Sequence, residues 1–191
     1  MRRVILLVGC FCVSVSAVDE RTSSEPTWNI STNLFGPVLG EYGLSVSRRL
    51  GQWAAVGLTG AYEHPSVTNG NASASGFGVG AEGVLYFTGS AFSDSIISAV
   101  SAGFEKLSVS DASGGGGSAS TSFLAVTAIG GYQWVWSSGL NLTLGVGVRY
   151  LSAPSSLLLS NGQIAFFRTG VRPAAAVTVG YAFLSSSTPR F

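Results

Sequence analysis

Few side chains in this sequence could do chemistry, and they are widely separated. The single histidine stands in Glu63-His64-Pro65-Ser66, which offers a base, a hydroxyl and a carboxylate close together. A serine nucleophile needs a base within hydrogen-bond reach and an acid behind that base. Pro65 breaks the strand that would aim His64 and Ser66 the same way, so the expectation is a loop histidine and no catalytic residue. Gly78-Val79-Gly80-Ala81-Glu82-Gly83 spells the dinucleotide fingerprint, whose chemistry requires a helix opening behind it to present N–H groups to a pyrophosphate. Val84-Leu85-Tyr86-Phe87 follows and reads as strand, so the glycines are expected to let a crowded wall pack. Gly114 to Gly117 lacks the lysine and hydroxyl residue of a phosphate loop and reads as a flexible tip. No cofactor and no metal is expected.

The elements that carry these residues follow from composition. Across 191 residues, 46% are hydrophobic and only 10% charged, with 26 glycines, an unusual balance for a domain bathed in water. Arg2 and Arg3 precede an apolar run from Val4 to Val15 that closes on Val15-Ser16-Ala17, the pattern of a signal peptide cleaved after Ala17. A rival cut at Leu7-Val8-Gly9-Cys10 would leave a lipid on Cys10, but its apolar core would be short. Cys10 and Cys12 both fall in this leader, so residues 18 onward carry no thiol. Removing Arg2 and Arg3 from the ten basic residues leaves eight against nine acidic ones, a balance that gives no reason to expect nucleic acid as a partner.

Beyond the leader, no run of about 18 apolar residues remains to form a membrane-spanning helix. Apolarity instead alternates. Leu140, Leu142, Leu144, Val146, Val148 and Tyr150 share one face of a strand, and Asn141, Thr143, Gly145, Gly147 and Arg149 share the other. The same split recurs over 76–88 and at the C-terminal end. Strands are expected near 27–36, 40–49, 53–63, 76–88, 96–108, 122–136, 139–151 and 166–184. Short links (50–52, 89–95, 137–138) alternate with long ones (64–75, 109–121, 152–165). This is the signature of a closed antiparallel eight-stranded transmembrane β-barrel with large apolar residues facing lipid. A soluble eight-stranded barrel would need the reverse, an apolar lumen and a polar exterior.

Eight strands enclose an interior just wide enough for side chains. Glu82, Glu105 and Arg149 face inward, joined toward the short-turn end by Ser47 and Arg49. Unpaired charges in so narrow a space are costly, so they are expected to pair as an ionic plug rather than line a conductive path. Aromatic residues gather at two levels: Trp28, Trp53, Phe87, Trp134, Trp136, Tyr181 and Phe183 on the short-turn side, with Phe35, Tyr62, Phe77, Phe104, Phe123, Tyr150, Phe166 and Phe167 on the other.

Val177-Thr178-Val179-Gly180-Tyr181-Ala182-Phe183 resembles the C-terminal signal recognised by the barrel-assembly machinery of the bacterial outer membrane, with Phe183 or Phe191 as its terminal aromatic. The stretch from Asn33 to Leu50, with Gly36-Pro37, Gly40 and the paired Arg48-Arg49, resembles the opening hairpin of small barrels of the OmpA/OmpW-like superfamily. The resemblance implies a Gram-negative outer-membrane protein with both termini periplasmic, in contact with outer-membrane lipids and with the assembly machinery during biogenesis. His64 and Ser66 also resemble the His-x-Ser pair of an outer-membrane lipid A deacylase family, which would make His64 the base, Ser66 the nucleophile and Glu63 or Glu105 the acid.

The expected organisation is a signal peptide over 1–17, a short periplasmic segment over 18–26, the barrel over 27–184 and a tail over 185–191. The expected role is non-enzymatic, structural or surface-interacting, through external loops that meet an unidentified partner. The alternatives are a channel or carrier for small solutes and, further off, a lipid A-modifying hydrolase.

Overall fold

Small residues on one face and large apolar ones on the other let each segment pair with neighbours on both edges and curl toward its small side. The result, in a computed structural model that describes residues 26–34, 41–64, 72–111, 117–166 and 169–183, is a closed antiparallel barrel of eight strands. Its wall comprises β1 (Trp28–Asn33), β2 (Glu41–Arg49), β3 (Ala54–Glu63), β4 (Ala72–Tyr86), β5 (Ser95–Asp111), β6 (Ser118–Val135), β7 (Leu140–Leu151) and β10 (Gly170–Phe183). A small separate hairpin, β8 (Ser156–Leu158) with β9 (Ile164–Phe166), occupies the link between β7 and β10. Chain neighbours pair throughout the wall, and β1 closes it against β10, Trp28 opposite Phe183.

Register fixes the geometry of the lumen. From Glu82, partners run through Ser101, Thr127 and Arg149 to Arg172 on β10. The other way round they run through Gly57, Ser47 and Asn29 to Ala182 on the same strand. The two arrivals differ by ten residues, 182 minus 172. Over eight strands, that stagger tilts the wall by about 40° from the barrel axis.

Outward positions in the middle of the wall are large, apolar and exposed, as Leu58 (72%), Val146 (72%) and Val171 (73%) illustrate. At the long-loop end the pattern inverts. On β5 and β6 the outward residues become Lys106, Ser108, Ser110, Ser118, Ser120 and Ser122, while the inward Leu107, Val109, Phe123 and Ala125 are buried. The β8–β9 hairpin folds onto this inverted patch and seats Leu159 and Ala165 in one buried cluster with those residues and Leu151. The Ser160 amide donates to the Ser118 carbonyl at 3.2 Å, and Asn161 Nδ2 donates to Asp111 Oδ2 at 2.9 Å, pinning the hairpin to the strand tops. Two expectations change here: the link over 152–165 is a docked hairpin rather than a plain loop, with Phe166 in that hairpin. Phe123 turns inward to the cluster instead of joining the outer aromatics.

The opposite end is also occupied. The link after β4 folds back so that Phe92, 2% exposed and at φ +66°, packs with Tyr86, Ala55, Ile97 and Ala182. The Ala91 amide donates to the Gln52 carbonyl at 2.6 Å, tying this turn to the neighbouring one.

Candidate functional site

Inward-facing polar residues form three layers stacked along the lumen. In the layer nearest the long loops, Arg149 Nη2 donates to Glu63 Oε1 at 2.7 Å and to Glu105 Oε1. The three side chains retain only 14–17% exposure, and in so enclosed a place the opposite charges compensate one another. Gly78 makes the layer possible, because a Cβ there would stand 2.7 Å from Glu105 Cγ. Arg172 faces Arg149 directly across the β7–β10 pair, and both line a mouth cavity of about 740 Å³. Among the described residues, no ion-pair partner of Arg172 is found.

Glu82 occupies the middle layer and does not join Arg149. The two share a register line, but Arg149 lies three strands further round, and the tilt raises it on the order of 10 Å above Glu82. Glu82 accepts a hydrogen bond from the Ser45 hydroxyl instead. Gly57 leaves it room: a Cβ there would fall 2.9 Å from Glu82 Oε1 and 2.8 Å from Ser47 Cβ.

The layer nearest the short turns is a chain of amides. Gln133 Nε2 donates to Asn141 Oδ1 at 3.3 Å, and Asn141 Nδ2 donates to Asn29 Oδ1 at 2.7 Å. All three side chains are buried, and the second bond crosses β10 where Gly180 presents no side chain. Arg49 lies near this end, with Nε donating to the Gly51 carbonyl at 3.0 Å. Above this floor, around Glu82, is a chamber of about 300 Å³ whose lining mixes serine and threonine with apolar residues such as Val84, Ile97 and Ile129.

Of the four residues expected to form one plug, the fold thus brings Glu105 and Arg149 together and holds Glu82 and Arg49 apart from them. Glu63 is the member that residue types alone did not supply, though its parity with Gly57, Thr59 and Ala61 marks it as inward. His64 stacks edge-on with Tyr62 at 4.8 Å, and its Nδ1 lies 3.3 Å from the Ala74 carbonyl oxygen. Both acids proposed for it, Glu63 and Glu105, bond to Arg149 instead. Ser66, Phe35, Phe167, Phe191, Cys10, Cys12 and the leader over 1–17 lie outside the described residues. The glycine fingerprint over 78–83 runs within strand β4, with no helix behind it. Among the described residues no cluster of three His, Cys, Asp or Glu is gathered that could hold a metal ion.

Compared with known protein families, curated proteins and solved structures, the chain matches none of them.

Proposed function

We propose that this chain is a non-enzymatic outer-membrane β-barrel protein whose role is structural or surface-interacting through its external end. One observation carries the membrane reading. The outward apolar belt runs from Phe77 on β4 to Phe87 just past its end and from Leu140 to Tyr150 on β7, and at about 40° of tilt each run rises about 25 Å. That is the height of the lipid-facing band of such barrels, and the inversion to outward serines begins where the belt ends. Rings cluster at its margins, with Arg48 lying 5.6 Å over the Trp28 ring at the short-turn level.

A role at the external surface is supported by the docked hairpin. It buries Leu159 and Ala165 but leaves Leu158, Ile164 and Phe166 exposed on its other side, an apolar patch in which Leu158 faces Ile164 across the strands. The Phe92 turn at one end and the hairpin at the other favour this role over that of an open channel.

Orientation is testable with single cysteines. Asn161→Cys is expected to react with a membrane-impermeant maleimide on intact cells, and Ser138→Cys only after the outer membrane is opened. The reverse pattern would overturn the topology, and labelling of neither on cells or membranes would overturn surface exposure.

A further inference from the structure

We infer that the chamber around Glu82, above the amide floor, is a binding site for one small monovalent cation of the ammonium or alkali type. Glu82 faces into the chamber and has no basic partner among the described residues; its hydrogen bond comes from the neutral Ser45 hydroxyl. The only ion pairs described inside the lumen are those of Arg149, which is engaged by Glu63 and Glu105 in the layer above. An enclosed carboxylate without a basic partner favours neutralisation by a proton or by a counter-cation.

A second, independent group favours the cation. Gln133 is 4% exposed, lines the same chamber and spends its amide N–H on Asn141, leaving Oε1 buried with no donor among the described residues. A buried acceptor without a donor costs free energy that a proton on Glu82 does not recover, because the middle and lowest layers stand apart along the axis. A hydrated cation supplies both needs, its charge set against the carboxylate and its bound water or N–H donating toward the carbonyl oxygen. Ser47, Thr59, Ser101, Thr127 and Thr143 also line the chamber, with hydroxyls that can offer their oxygens to a cation or to its water shell. The volume of about 300 Å³ suits a hydrated alkali ion or a short primary amine and lies at the small end of ligand cavities.

The experiment refolds the full chain into zwitterionic detergent in methylammonium chloride, potassium chloride or choline chloride at equal ionic strength, and follows thermal unfolding. Choline is the control, since its quaternary nitrogen has no N–H to donate and no compact charge to coordinate. The expected result is a higher melting temperature in methylammonium or potassium than in choline for the wild type, with no such difference in Glu82→Gln. The larger shift tells an organic ammonium from an inorganic ion. Radiolabelled methylammonium or rubidium should bind the wild-type barrel at one site, about tenfold more weakly in Glu82→Gln. If that variant does not fold, Gln133→Met provides the same comparison. Equal melting of the wild type in all three salts without retained label, as a protonated Glu82 would give, overturns the inference, as does an unchanged salt effect in the folded variant.

Discussion

Arg149 and Glu63 meet at 2.7 Å across the centre of the barrel, joining β7 to the diametrically opposite β3. A tie of this kind braces the cross-section in a way that pairing between neighbouring strands cannot. It also gathers Glu63 and Glu105 on one guanidinium.

Replacing Arg149 by Met is therefore expected to destabilise the barrel by about 3–5 kcal/mol, because two enclosed carboxylates lose their counter-charge. Urea titration of the refolded protein in lipid or detergent measures this. The combination Glu63→Gln, Glu105→Gln and Arg149→Met should recover most of the loss, since it removes the charges together; a triple variant as unstable as the single one contradicts the ion-pair account.

Two glycines three residues apart on β3 should respond oppositely. At Gly57 a methyl group would press on Ser47 and on the Val46 carbonyl at 2.8 Å, so Gly57→Ala is expected to cost about 1–3 kcal/mol. At Gly60, on the outward face, nothing lies within 4 Å, and Gly60→Ala should change stability by less than about 0.5 kcal/mol. The same urea titration, run on both, checks that the lumen face is the crowded one.

How far the sequence revealed this fold can be judged strand by strand. β7 was expected over 139–151 and spans Leu140–Leu151, because its apolar residues alternate without a break over its whole length. β5 and β6 extend further toward the long loops than the expected ends at 108 and 122, reaching Asp111 and starting at Ser118. Their outward residues there are serines, so the alternation that marks a lipid-facing strand disappears although backbone pairing continues. The plug was legible as inward charge, yet not in its grouping. Which carboxylate meets Arg149 depends on the ten-residue stagger of the closed wall, and stagger is a property of all eight pairings together, not of any one segment.

Phe92 was likewise hidden, lying in a short link with no periodic pattern. Phe92→Ala is expected to cost about 3–5 kcal/mol by emptying the pocket formed by Tyr86, Ala55, Ile97 and Ala182. Because this residue sits at φ +66°, where a Cβ is strained, Phe92→Gly should be no less stable than Phe92→Ala. Thermal unfolding of the two variants side by side provides the comparison.

The hairpin cap can be tested apart from the barrel. Leu159 is 3% exposed among Val109, Phe123 and Leu151, so Leu159→Asp should undock the hairpin at a cost on the order of 3 kcal/mol. Limited proteolysis is expected to cleave the variant between residues 152 and 166 while the strands stay protected. A variant as resistant as the parent would mean that the cap is held by its hydrogen bonds to Ser118 and Asp111 alone.

A closed barrel seated in a membrane is the central expectation for this chain. The most direct measurement compares migration of the membrane fraction in detergent gels with and without boiling. A closed transmembrane barrel resists unfolding by the detergent when cold, so the unheated band is expected to run ahead of the boiled one. A chain recovered in the soluble fraction, with a single mobility before and after heating, would contradict it.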